Sequence, residues 1–356
     1  MNNKTATCLL VVALFITSLL PLSAQVDQMR DYRFSDIRTT SMGSGGIAFD
    51  EFHGAFPKNP AVLFRLEEPL FRVATRFSEQ ATTSSHTTDP VSWLQSPVAE
   101  AEVLFSNRYI SLSLGLANVL TQRTVEDNHL NFIARNISRI QITASYGIKA
   151  LSFGIFAQGG GETFREVEVR STSPFRDYIA NTYLERYRSL SSDDEAFVSG
   201  FGMLLSYQWF SIALMTDSLF RLTYDTNELV LDPSDFFRGA ALGVAFSTPQ
   251  FNQYNELRKI VAKGSFDATN LGNVEQRKVH FGLEGILQLL PNLSFSLRTG
   301  YFEFKGEDSP LFTLDGSGTF SLGLSAHYGN ASLDVAAEFP LKENYVRLLF
   351  GMTWGF

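Results

Sequence analysis

The chain has 356 residues, 44% of them hydrophobic and 19% charged, with 32 phenylalanines and 26 glycines. So little charge argues against a long disordered or coiled-coil chain. A net charge of −8 argues against nucleic acid as a partner, because nothing would release counterions from a phosphate backbone. The single cysteine, Cys8, lies in the leader described next, so the rest of the chain offers no disulfide, thiol nucleophile or cysteine metal site.

Residues 1–24 read as a secretory signal peptide. Lys4 supplies the positive start, an apolar run opens at Cys8, and Leu22-Ser23-Ala24 precedes the expected cut. No later stretch is apolar over 18 residues, so a helical membrane span is excluded for the mature chain. A secreted soluble fold and a transmembrane β-barrel remain.

Residues 25–68 do not alternate, and that much non-strand chain ahead of a barrel is expected to sit in its lumen. From there on the hydrophobic period is two. Fourteen strands are expected, near 71–78, 98–106, 109–119, 137–147, 151–159, 196–206, 209–220, 238–248, 253–263, 278–288, 292–305, 317–328, 331–340 and 345–356. Alternation is weakest over 253–263. The last strand shows the pattern best: Val346, Leu348, Phe350, Met352, Trp354 and Phe356 alternate with Arg347, Leu349, Gly351, Thr353 and Gly355. Across the strands the second face carries mainly Gly, Ser, Thr and Ala, not the Lys/Glu density of a sheet facing water. Small side chains suit a crowded lumen.

Connections alternate between short turns and longer loops near 79–97, 120–136, 160–195, 221–237, 264–277 and 306–316, the rhythm of an outer-membrane barrel with both ends in the periplasm. Tyr109, Tyr146, Tyr207, Trp209, Tyr254, Tyr328 and Trp354 fall beside the short turns, as an interfacial girdle would, although Tyr109 has the wrong strand parity. Charges of lumen parity are Arg72, Arg76, Glu100, Glu102, Arg139, Glu284, Arg298, Asp334, Glu338 and Arg347. Both signs occur, so they are expected to pair with one another and with the N-terminal segment.

Most site chemistry is excluded. His53, His86, His129, His280 and His327 have no metal-ligand spacing, no nucleophile elbow occurs, and Gly43-x-Gly45-Gly46 does not open a βαβ unit. The acidic run 191–195 reads as a solvated loop rather than a calcium site. No catalytic residue, metal or cofactor is expected, and the chain is not expected to be an enzyme. In the loop near 160–195, Ser173 and Pro174 open a helix that puts Phe175, Tyr178, Ile179 and Tyr183 on one face. With Phe236 and Phe237 these residues are expected to form an apolar ligand groove on the outer side.

Met42, Gly43, Gly45 and Gly46, then Asp50, then Phe56, Asn59, Pro60, Ala61 and Leu63 resemble the N-terminal signature of the FadL family of outer-membrane transporters for hydrophobic compounds. Ser44 interrupts the glycines, and Pro57-Lys58 separate the aromatic from Asn59. The resemblance implies a fourteen-stranded barrel over 69–356 in the bacterial outer membrane, with residues 25–68 as a hatch inside it. It implies diffusion of hydrophobic compounds, most of all long-chain fatty acids, past a gate at Gly43, Gly45, Gly46, Asn59, Pro60 and Ala61. The glycines would be its deformable part. The same Asn-Pro-Ala also reads as a capped helix start. Trp354 and the terminal Phe356 are similar to the signal read by the barrel assembly machinery. Expected partners are thus a hydrophobic small molecule, outer-membrane lipid and that machinery, with a monomeric barrel. The alternatives are a non-transporting barrel that binds or shuttles proteins, like PorV-type relatives or adhesins, and a small-solute porin.

Overall fold

The computed structural model describes residues 36–51, 54–82, 98–126, 129–170, 195–223, 229–230, 233–249, 251–253, 258–273, 277–305, 318–342 and 345–356. Fourteen strands form its wall: β1 (Leu70–Thr82), β2 (Val98–Ser106), β3 (Ile110–Glu126), β4 (His129–Ile148), β5 (Leu151–Arg170), β6 (Glu195–Tyr207), β7 (Phe210–Thr223), β8 (Ala240–Ser247), β9 (Arg258–Thr269), β10 (Lys278–Leu290), β11 (Leu293–Phe304), β12 (Thr319–Tyr328), β13 (Ala331–Pro340) and β14 (Tyr345–Gly355). Each pairs antiparallel with its neighbours in sequence. The sheet closes where β14 pairs with β1, from Arg72 opposite Gly355 to Thr82 opposite Tyr345. Leu229–Val230 and Phe251–Gln253 add short ladders on β7 and β9. Outside the sheet lie helix α1 (Ile37–Ser41), a 3₁₀ turn (Pro60–Arg65) and helix α2 (Pro233–Arg238).

The burial pattern is the reverse of a soluble sandwich. On β14, Leu348, Phe350, Met352 and Trp354 are exposed while Leu349 is buried; on β12, Phe320, Leu322 and Leu324 are exposed while Ser321 and Ser325 are buried. Apolar side chains therefore cover the outside and small polar ones the inside, as lipid around a barrel requires. No helix among the described residues is long and apolar enough to cross a membrane. Two-residue turns join β4 to β5, β6 to β7, β10 to β11 and β12 to β13 at one end, with Lys149, Gln208 and Gly329 at positive φ as tight hairpins demand. Tyr146, Tyr207, Trp209, Tyr328 and Trp354 point outward at that end. Tyr109 precedes β3 and lies in the turn, so strand parity does not apply to it. Tyr254 lies outside the described residues.

Two expectations need correction. The strand expected over 253–263 runs instead from Arg258 to Thr269. Its outward positions include Gly264, which the Phe246 ring covers, and the buried Ala268, so its apolar signal in the sequence is faint. The loop expected over 120–136 is largely ladder, and so is the start of the one expected from 160, as far as Arg170: β3 has 17 residues, β4 and β5 have 20 each. Spanning a bilayer takes about 9–11 residues per strand. Beyond the lipid, backbone pairing continues but nothing enforces alternation, so the period vanishes before the strand does.

Leu324 is 61% exposed near the middle of β12. Leu324→Arg is expected to destabilise the barrel by about 2–4 kcal/mol in folding titrations into lipid vesicles. A loss below about 1 kcal/mol would place Leu324 away from the bilayer midplane.

Candidate functional site

Residues 36–51 and 54–65 lie against the inward face of the wall. Asp36 caps α1, its side chain accepting from Thr39 N at 2.6 Å. α1 packs on β11, β12, β13 and β14, whereas the 3₁₀ turn packs on β4, β5 and β6, so the segment crosses the lumen from one side to the other.

Charge anchors the first side. Arg38 Nε donates to both carboxylate oxygens of Glu284 at 3.1 Å. Glu284 also accepts from Arg298 Nε at 2.6 Å, and Arg298 Nη1 reaches Asp334 at 3.1 Å. Ser325 and Ser332 donate to Asp334. This alternating row is buried, and burial of unpaired charges would be costly. Burial opposes the charge on Arg38, but Glu284 and Glu51 more than offset it and raise its pKa above the ordinary arginine value. Glu51 also accepts from Lys263 at 2.6 Å. Of the other lumen charges, Arg76 pairs with Glu100 and Arg347 with Glu338, while Glu102 accepts from Ala55 N and Arg72 donates to Gly54 O. The sequence expectation of mixed charges paired with one another and with the N-terminal segment agrees with this. Arg139 donates to Ser138 O on its own strand.

The glycine run passes close against β10 and β11. Gly43 (φ +69°), Ser44 (+58°) and Gly46 (+94°) are left-handed. A Cβ at Gly43 would lie 2.5 Å from Tyr301 O, and one at Gly300 would strike Gly43 N. Here glycine permits two backbones to touch. Gly43 N donates to Ser321 Oγ at 3.0 Å, and Gly43 O lies 2.7 Å from His280 Nδ1. Asp267 accepts from Gly46 N and Ile47 N, and Lys58 Nζ donates to Ser44 O at 2.6 Å.

Asn59 caps the 3₁₀ turn as its sequence suggests: Oδ1 accepts from Ala61 N at 3.0 Å, and Nδ2 donates to Ile47 O at 3.1 Å and Met203 O at 3.3 Å. Pro60 lies in a notch made by Gly154 and Gly202, where a side chain on either strand would collide with it. Between the anchors, Met42, Ile47, Ala48, Phe49 and Ala61 form one buried apolar cluster with Leu204 of β6, Ala213 and Met215 of β7, and Ala241 and Ala245 of β8. The lumen therefore has a charged half and an apolar half. Two cavities beside α1 are each about 20 Å³, room for one water.

The remaining expected residues are spread out. Phe236 and Phe237 stand in α2 at the long-loop end, edge to face at 5.5 Å, with Phe237 65% exposed. Phe175, Tyr178, Ile179 and Tyr183 lie outside the described residues, as does the signal peptide. Trp354 and Phe356 stack at 6.2 Å, and Phe356 exchanges backbone bonds with Phe71 of β1 at the seam. Arg38 and Asp267 are not singled out by the sequence, because Glu284 and Gly46, which they bond, lie far away along the chain, and neither are Ile47 and Phe49, whose apolar seat is made by β6, β7 and β8.

Glu284→Ala leaves Arg38 buried without its main counter-charge, a change that costs about 3–5 kcal/mol where one partner of a buried pair is removed. Faster amide exchange over residues 37–49, with the barrel still folded, is the expected result. Exchange equal to that of the unaltered protein would show that the charge row does not hold the segment.

The chain matches no family model, and no curated protein sequence matches it. Solved structures do share its architecture. The CymD monoaromatic hydrocarbon channel aligns with a TM-score of 0.53 at 10% identity, over 89% of this chain and 96% of that one. The P. putida toluene transporter TodX aligns with a TM-score of 0.50 at 11% identity, over 92% and 99%. A Pseudomonas aeruginosa FadL homologue aligns at 0.46 with 9% identity, over 90% and 97%. On the strength of the first two, this protein has the fold of those hydrocarbon channels: a closed antiparallel barrel of fourteen strands.

Proposed function

We propose that the protein is an outer-membrane channel for uptake of hydrophobic compounds, a member of the FadL group, closed by residues 25–68 acting as a hatch. The observation that supports this reading best is the packing of residues 36–51 and 54–65 against opposite sides of the inner wall. A porin needs an open polar path, whereas here a charged anchor and a glycine notch hold chain across the barrel and press Ile47–Phe49 against an apolar wall. The names of the similar structures, a monoaromatic hydrocarbon channel and a toluene transporter, support the same class of cargo. Long-chain fatty acids are the cargo that the family resemblance implies.

In this reading the signal peptide is removed and residues 69–356 fold into the outer membrane as a monomer, with Trp354 and Phe356 read by the assembly machinery. A hydrophobic compound settles on the apolar groove at the long-loop end, where Phe236 and Phe237 contribute, gaining about 0.8 kcal/mol per buried CH₂. It then meets the hatch. Gly43, Gly45 and Gly46 deform while Asn59, Pro60 and Ala61 hold the far end. Transport runs down the gradient without another energy source, and no reaction is catalysed.

The test is mass spectrometry of small molecules extracted from the purified, folded protein, beside an unrelated barrel from the same host. Selective enrichment of hydrophobic compounds is expected. No enrichment would contradict the reading and leave a protein-binding barrel as the better account.

A further inference from the structure

Arginines facing the lumen are paired with carboxylates: Arg38 and Arg298 with Glu284, Arg76 with Glu100 and Arg347 with Glu338. At the short-turn rim the pattern changes. Arg65 ends the 3₁₀ turn, Arg108 lies in the β2–β3 connection and Lys149 in the β4–β5 turn, and none of the three forms an ion pair among the described residues.

The fold brings these cations together. Arg65 Nη1 donates to Lys149 O at 2.8 Å, and its Nη2 donates to Ala150 O. The face of the Arg108 guanidinium lies over the Phe64 ring, 4.2 Å from its centroid, and stands 5.6 Å from the Tyr109 centroid. Partial burial lowers the pKa of Arg65; Asp50 opposes that shift and Arg108 adds to it, so the two guanidiniums act on each other. Asn107 Oδ1 accepts from Tyr109 N at 2.8 Å and Ile110 N at 2.9 Å, and Ser145 Oγ donates to Arg108 O at 2.7 Å. These bonds fix the connection that carries Arg108. Gly147 makes room for Phe64, since a Cβ there would lie 2.6 Å from the ring. With its face held on a ring, the exposed Arg108 guanidinium keeps its N–H edge without a protein partner among the described residues. A planar fork with a free edge fits two oxygens of a phosphate.

We propose that Arg108, with Arg65 and Lys149 beside it, binds the headgroup of an anionic phospholipid in the leaflet at the short-turn end. The phosphodiester takes the Arg108 edge, and the other two cations add attraction on a chain whose net charge is −8. Tyr146 and Ile148 are exposed on the lipid side of the same turn, so the acyl chains have an apolar surface to follow. Tyr109 and Tyr146, with centroids 6.3 and 6.2 Å from that of Phe64, put the cations at interface level, where the anion arrives from the bilayer. An ethanolamine headgroup brings its own ammonium to these cations, so net negative charge is favoured. Phe64 and Arg65 belong to the N-terminal segment and Arg108 and Lys149 to the wall, and the bound lipid joins the two. The inference rests on reading the chain as a membrane barrel and not on what the channel carries.

The test is native mass spectrometry of the full mature chain, released from micelles holding equal amounts of phosphatidylglycerol and phosphatidylethanolamine with matched acyl chains. Preferential retention of phosphatidylglycerol is expected. Arg108→Gln combined with Lys149→Asn, which suits the positive φ of that position, is expected to lower the preference by at least about fivefold, the order contributed by one basic group near a membrane surface. Heat-modifiable migration verifies that the variant is folded. Amide exchange in nanodiscs needs no variant: adding phosphatidylglycerol to phosphatidylethanolamine is expected to slow exchange over residues 64–66 and 108–110 and to leave α1 unchanged. The inference is overturned if the unaltered protein retains the two lipids equally, if the folded double variant keeps the preference, or if exchange over both stretches ignores the lipid. Any of these results leaves the channel reading standing, whereas a purified protein without hydrophobic cargo would defeat that reading and leave this site in place.

Discussion

The ladder between β14 and β1 is the contact on which the rest depends. A sheet edge in lipid leaves backbone N–H and C=O groups without partners, at a cost of several kcal/mol for each. The seam removes both edges, and Phe356 extends it by exchanging bonds with Phe71. Once the sheet is closed its two faces are fixed. The outer face must be apolar and the inner face takes whatever the lumen contains.

A barrel of eight strands can be filled by its own side chains, but one of fourteen cannot. Something else must occupy the space, and among the described residues that is 36–51 and 54–65, ahead of β1. The wall has adapted to it on both sides. Gly154 and Gly202 are bare where Pro60 lies, and Gly300 is bare where Gly43 passes. Elsewhere the wall supplies hydrogen bonds: Ser113 donates to Ala55 O at 2.6 Å and Ser211 to Ala48 O at 2.6 Å. The small residues of the inner face, which the sequence presents merely as a period-two pattern, are thus the imprint of the segment they hold. Charge and grease are separated around it, with the carboxylate–guanidinium row against β10, β11 and β13 and the apolar cluster against β6, β7 and β8.

The strands were legible because lipid enforces alternation residue by residue, and the expected limits of β2 and β13 agree with the observed ones. Legibility fails where lipid contact fails, in the long outer parts of β3 to β5, and where the outward residues are as small as Gly264 and Ala268 on β9. Within the segment, the Asn59 cap and Pro60 start were readable because capping is local. Arg38 was not, since Glu284 lies 246 positions away and such a pair leaves no periodic trace. Nor was the seat of Phe49, which depends on three strands that only the closed barrel brings to it. The glycines at 43–46 read from sequence as freedom; the structure adds close contact with β10 and β11 to that reading.

Planar-bilayer conductance of the mature chain, compared with a variant lacking residues 25–58, tests the central claim most directly, that the N-terminal segment closes the lumen. Folding of both is verified by heat-modifiable migration. The account predicts that the full mature chain conducts ions barely at all and that the shortened barrel conducts openly. Porin-like conductance by the full mature chain, or a shortened barrel that stays closed, would contradict it.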